Sequence, residues 1–393
     1  MSKRKYARLL VDRAVNIQPG QMLYVEAPIA AADFVVMLAE EAFSAGASDV
    51  RLRWVCSGLD RLKAEYGAFD QGANEADAFA IDKLIEAGAA YLRLDSPDTE
   101  AFLGVSAEKL QRKAAFERAI RLPFRAKGKA QNSIATVPTP AWARAVFPEL
   151  SPDAALERLW DCVLDCTASN LEDPEAFWDD NYQKTLQRRN AMEAKHFSAL
   201  HLTAPGTDIT IGLPEAQQWS GGAVESGGVR FIPNLPTYEV FTTPHKYRIN
   251  GVVAATLPLN YSGGMISGFS LTFRDGKAVD FSAEEGGELL QSILEHDAGS
   301  CYAGEIAIVS GSSPVARQGR VFRTTLLDEN AACHIALGSG FASADSDEEA
   351  DRLGYNRAGL HVDFMVGSPE MDITGLYPDG SSEPVMRAGE WCF

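Results

Sequence analysis

Met22-Leu23-Tyr24-Val25-Glu26, an apolar helical repeat from Ala30 to Ala45 that stops at Gly46, and then Asp49-Val50-Arg51-Leu52-Arg53-Trp54-Val55 decide the fold of the first half. The first of these follows the Pro19-Gly20 punctuation and reads as a short strand, and the last alternates in strand fashion. Strand, helix and strand in succession are the unit from which a helix-covered parallel sheet is built. The unit recurs with a helix near Ala76 to Ala87 and a strand at Ala90-Tyr91-Leu92-Arg93-Leu94, and a helix from about Lys5 to Asn16 precedes it. No glycine-rich phosphate loop follows any of these strands.

Helices prevail from about Pro152 to His196, and the character changes near residue 197. Ala199-Leu200-His201-Leu202-Thr203, Asp208 to Leu213, Gly251 to Leu257 and Phe269 to Phe273, closed by the turn pair Asp275-Gly276, read as strands and hairpins. The fold class expected is α/β. Residues 1–196 form an N-terminal α/β domain with a partly parallel sheet. Residues 197–393 are expected to form a C-terminal α+β domain with a mixed or antiparallel sheet. The acidic stretch Ala344 to Asp351 reads as a surface segment or a helix start, since it lacks the spacing and glycine of a calcium loop.

Composition narrows the function classes. The chain has 393 residues, 46% hydrophobic and 23% charged, as in a soluble globular protein of about two to three domains. Its 36 Lys and Arg against 54 Asp and Glu leave a net charge of -18, which repels phosphate backbones and anionic lipid. Neither nucleic acid nor a membrane is an expected partner. The basic N-terminus lacks the apolar run of a signal peptide, and the six cysteines lack disulfide or CxxC spacing, so a cytoplasmic location is expected. Cys162 and Cys166 share a helix face and read as small buried hydrophobes.

Within the apolar run Leu360 to Val366 stands His361-Val362-Asp363. Side chains two apart on a strand point the same way, about 7 Å apart, so an imidazole and a carboxylate meet at one place. A buried carboxylate needs a cation or a donor. A metal ion supplies the first and a His-Asp hydrogen bond the second, and the pair alone admits both. His334, in Asp328-Glu329-Asn330-Ala331-Ala332-Cys333-His334, is a further candidate ligand or else a core histidine. Glu239, in Pro236 to Thr242, and Glu305, in Ala303 to Val309, both interrupt hydrophobic surroundings.

Asn234 to Thr242, Gly304-Glu305, Asp328 to His334 and His361 to Gly367 together resemble, in order and approximate spacing, the metal-site motifs of the M29 aminopeptidase family, the thermophilic aminopeptidase T and aminopeptidase S group. The likeness reaches the first half at Gly46 to Val50 and Ala141 to Ala143. The resemblance implies a homodimer that releases N-terminal amino acids from peptides. It also implies that Glu239, Glu305, His334, His361 and Asp363 hold two divalent ions. Carboxylate and imidazole ligands suit zinc, cobalt, manganese or magnesium, and two such ions polarise a carbonyl and activate water. Either Glu305 or Glu239 is then a candidate proton shuttle.

One position departs from the family pattern. Members carry a catalytic tyrosine seven residues after the motif histidine, where this chain has Phe341. Losing an oxyanion donor costs about 10²- to 10³-fold in rate. A catalytically impaired homologue is therefore an alternative, and Tyr355 is a candidate substitute donor or else a loop tyrosine. His334, His361 and Asp363 alone would also make the facial triad of a mononuclear Fe(II) ring-cleaving dioxygenase. His245 lies near Glu239 in sequence and is expected in a surface loop or facing the substrate.

Overall fold

A computed structural model describes residues 2–98, 100–261, 264–341 and 344–393. The chain divides into two compact units, Met1–Asp179 with Ala223–Thr237, and Asp180–Gly222 with Tyr238–Phe393. These differ from a single division at residue 196/197 in two ways. The helix Pro174–Lys195 straddles the change of unit, and the later segment Ala223–Thr237 returns to the first unit. That return adds the two-residue strand Asn234–Leu235 to the first sheet, a pairing too short to leave any periodicity in the sequence.

The first unit is built on a five-stranded sheet in the order Asp49–Val55, Met22–Pro28, Ala90–Asp95, Asn132–Thr136, Asn234–Leu235. Every pairing in it is parallel. The helices Ala32–Ser44, Glu75–Glu86 and Ala107–Ala126 make the crossovers that parallel strands require. The second of them starts at a capping box, in which the Asn74 side chain accepts from the Asp77 N–H and the Asp77 carboxylate from the Asn74 N–H. Leu23, Val25, Leu92 and Leu94 are buried in the sheet.

One buried charge interrupts this apolar sheet. Glu26 accepts from Arg53 at 2.7 Å, from Arg121 at 2.5 and 2.9 Å and from the Tyr91 hydroxyl at 3.1 Å. Burial alone would push its carboxyl up, but the two guanidinium groups hold it below its ordinary value.

The second unit holds an eight-stranded sheet and a four-stranded sheet, both antiparallel throughout. In the larger sheet Asp275 and Gly276 both take positive φ, 50° and 83°, between the paired residues Arg274 and Lys277. That is the two-residue hairpin turn whose twist matches its strands. Leu200, Ile211 and Leu271 of the larger sheet share one buried cluster with Ile306, Ile335 and Phe364 of the smaller. The acidic stretch becomes the helix Asp347–Leu353, begun by the Ser346 hydroxyl accepting from the Glu349 N–H at 3.1 Å. Among the described residues, no helix is long and apolar enough to cross a membrane.

Candidate metal centre

The four-stranded sheet runs in the order Glu239–Thr242, Ala303–Val309, His334–Gly338, His361–Met365. Its register pairs Glu239 with Val309, Ala307 with His334, Glu305 with Ala336, Ala336 with Asp363 and Gly338 with His361. Paired residues share a face and successive residues change face. Glu239, Glu305, His334, His361 and Asp363 therefore all project from one side. Val240, Ile306, Ile308, Ile335, Leu337, Val362 and Phe364 project from the other and enter the hydrophobic cluster. Burying side chains of this size contributes about 1.5–3 kcal/mol each, so the apolar face fixes the register and the register aims the polar face.

The polar face is roomy where its small residues lie. Ala307, Ala336 and Gly338 occupy the positions between the charged groups. Gly338 takes φ +97°, and a Cβ there would lie 2.3 Å from the Leu360 carbonyl oxygen. Only glycine permits that approach beside His361.

The ligand atoms fall into two groups, Glu239 with Glu305 and His334, and Glu305 with His361 and Asp363. Glu305 belongs to both. Its Oε1 lies 3.7 Å from His334 Nε2 and its Oε2 lies 3.3 Å from His361 Nε2. His334 Nε2 is also 3.2 Å from Glu239 Oε2, and His361 Nε2 is 3.2 Å from Asp363 Oδ1. The other ring nitrogen of each histidine faces a backbone carbonyl, Nδ1 of His334 to Ala332 at 3.2 Å and Nδ1 of His361 to Ser339 at 2.7 Å. Those carbonyls accept from protonated Nδ1 and leave each Nε2 turned toward the carboxylates, the orientation of a metal-binding imidazole. Three carboxylates and two such imidazoles make a donor set that suits borderline or hard divalent cations.

The electrostatics of the protein alone show why a cation belongs here. Burial and the neighbouring carboxylates push the Glu239 carboxyl up despite His334. Against the burial that would lower them, carboxylate neighbours raise His334 well above the ordinary histidine range and push His361 up to about 11. Burial would also raise Asp363, but the His361 imidazole holds it below its usual value. The imidazoles thus stand in as cations for the carboxylates.

The structure adds a carboxylate that was quoted in the motif but not nominated from it. Burial raises the Glu329 carboxyl well above its ordinary value, and so do Glu239, Asp363 and Glu305, yet Glu329 belongs to neither ligand group. Its flanking residues hold the loop. Asp328 accepts the Phe322 N–H at 2.7 Å and the Thr324 N–H at 3.2 Å, and burial pushes its carboxyl up to about 7. The Asn330 side chain accepts the Tyr238 N–H at 2.6 Å and donates to the Leu326 carbonyl at 2.9 Å. That ties the backbone next to Glu239 to the loop that delivers His334. An acidic residue beside a motif aspartate was the available sequence signal for Glu329, but spacing did not show which way it points.

Phe341 does reach this centre. Its ring centroid is 4.8 Å from that of His361 and 5.5 Å from that of Phe241, and 45% of the residue is exposed. Tyr355 is buried rather than in an exposed loop, and its hydroxyl donates to the Ala216 carbonyl at 3.2 Å. Its proton is engaged away from the ligand groups. His245 packs against Gly354 and accepts the Tyr247 N–H at 3.2 Å, and it joins neither group.

Known proteins resemble this chain along nearly its whole length. The family model described as thermophilic metalloprotease (M29) matches residues 2–391. Aminopeptidase 2 of Geobacillus stearothermophilus is 40% identical over 99% of this chain and 97% of its own. Aminopeptidase T of Thermus thermophilus is 39% identical over 98% of this chain and 97% of its own, and aminopeptidase AmpS of Bacillus subtilis is 36% identical over 99% and 98%. The solved structure of wild-type AmpT from Thermus thermophilus superimposes with a TM-score of 0.91 at 37% identity, covering 100% of this chain and 99% of the other.

Proposed function

The chain belongs to the M29 family of thermophilic metalloproteases, and from that membership we propose that it is a metal-dependent aminopeptidase that removes N-terminal amino acids from peptides. The observation that carries the reading is Glu305, whose two oxygens face two different imidazole-carboxylate groups. Glu239, Glu305 and His334 would hold one divalent ion, zinc, cobalt, manganese or magnesium, and Glu305, His361 and Asp363 a second. When bound, such ions polarise the scissile carbonyl and lower the pKa of the attacking water.

The chain's own groups do the rest. A peptide's free α-amine, in its neutral form, would add a nitrogen donor to one of these ions and a blocked N-terminus would not, a distinction that suits an exopeptidase. Glu239 and Glu305 would serve as ligands, and Glu329, whose carboxyl is raised by the charges of Glu239, Asp363 and Glu305 and which lies outside both groups, would move the proton from the water to the leaving amine. A mononuclear iron dioxygenase on this fold is set aside by the family membership. His334 and His361 also fall into separate groups instead of one triad.

The reading extends to a homodimer in the cytoplasm. Its six cysteines are free thiols, which suits a reducing compartment, and the dimer rests on the family resemblance alone. Metal analysis together with a screen of amino acid anilides and short peptides tests the reading. Two ions per chain, with amino acid release that a chelator abolishes, are expected. A single ferrous ion with oxygen consumption would overturn it.

Phe341 sits where a hydroxyl would stabilise the transition-state oxygen. Phe341→Tyr is expected to raise kcat toward about 10²-fold, because a restored oxyanion donor is worth that order. Unchanged turnover would show that this ring plays no part in the rate.

A further inference from the structure

The two clustered histidines take their orienting carbonyls from different places. His334 uses Ala332, two residues before it on the same segment, whereas His361 uses Ser339, 22 residues away. Ser339 stands between Gly338 and Gly340, and a peptide flanked by two glycines rotates readily unless something outside it holds it. One residue holds it on both sides. The buried Asn356 side chain donates from Nδ2 to the Gly338 carbonyl at 2.6 Å, and the Asn356 carbonyl accepts the Gly340 N–H at 3.0 Å.

A carboxamide nitrogen carries two N–H donors, and the second meets the Gly299 carbonyl at 2.8 Å. Gly299 lies in the turn ahead of the strand Ala303–Val309 that carries Glu305, and Gly338 ends the strand that begins with His334. The Asn356 amide thus ties those two strands together, while its own backbone runs on to the strand of His361. Its Oδ1 is buried without a partner among the described residues, so what this side chain supplies is its two N–H groups. With the clamp open, the Ser339 carbonyl can turn away from His361 Nδ1. The ring then loses the contact that keeps the proton on Nδ1 and leaves Nε2 for an ion. His334 keeps its own carbonyl, so the loss falls on one group of ligands.

We propose that Asn356 is a positioning residue of the metal centre, which holds the Ser339 carbonyl against His361 and thereby sets the affinity of the group Glu305, His361 and Asp363 for its ion, but not that of the group Glu239, Glu305 and His334. The proposal rests on the two-ion reading above. Its test titrates the chelated full chain with zinc and counts the ions bound at each free zinc concentration. The variants are Asn356→Ala, Asn356→Ser, His361→Ala and the double variant Asn356→Ala with His361→Ala, each checked for folding by circular dichroism.

Wild type is expected to bind two ions. Asn356→Ala should weaken one of them about 10- to 100-fold and leave the other unchanged, with Asn356→Ser, which keeps one hydroxyl donor, in between. In the His361→Ala background, adding Asn356→Ala should not weaken the ion that remains, because the group Asn356 serves is already broken. Two ions held as tightly in Asn356→Ala as in wild type, equal weakening of both, or a further loss in the double variant would overturn the proposal. Failure of both Asn356 variants to fold in the presence of zinc would also overturn it, by assigning the residue to the fold alone. Fewer than two ions in the wild type would overturn the two-ion reading and the proposal with it.

Discussion

Replacing Glu305 by alanine is expected to lower kcat by at least about 10³-fold and to reduce bound metal from two ions per chain to less than one. The reasoning is geometric. Each of the other four ligands serves one group, but Glu305 lies within reach of His334 through one oxygen and of His361 through the other. Its removal takes a ligand from both ions at once, and even groups that only orient ligands cost 10- to 100-fold when lost. Asp363→Ala should therefore be milder in metal content, losing the ion of its own group first. Metal analysis of the two purified variants separates these outcomes, and two retained ions in Glu305→Ala would remove the shared-ligand reading. In metal-free protein the alanine also takes a carboxylate partner from both His334 and His361, so its urea midpoint should fall below that of chelated wild type, and turnover is compared under conditions where both are folded.

Glu329→Gln is expected to lower kcat by about 10² to 10⁴-fold while leaving two bound ions, because general acid-base groups contribute on that scale and glutamine keeps the shape without the exchangeable proton. Burial and the charges of Glu239, Asp363 and Glu305 raise the Glu329 carboxyl, yet it is outside both ligand groups. That combination separates a proton carrier from a ligand. Loss of metal in this variant would place Glu329 among the ligands, and unchanged turnover would return the proton to Glu239 or Glu305.

The site was legible from sequence to a particular depth. His361-Val362-Asp363 in an apolar run implied one shared face because alternation on a strand is local, and the structure pairs that strand as expected. Glu239 and Glu305 stood out because carboxylates in apolar surroundings are costly. Glu329 did not stand out, because it follows Asp328 in a turn, where spacing does not set direction. Tyr355 lost its proposed role for a similar reason. Its hydroxyl partner, the Ala216 carbonyl, is 139 residues away in the chain.

What the sequence determined by itself was local: the helix and strand periods, a first sheet expected to be partly parallel and found parallel in every pairing, the Asp275-Gly276 hairpin, and the identity of the five clustered side chains. The tertiary structure alone decided that Glu305 stands between the two imidazoles and that Ala223–Thr237 returns to the first unit. These depend on which distant strands pair and in what register. Register is set by burial of the opposite, apolar face across whole strands, a cooperative quantity that no single segment contains.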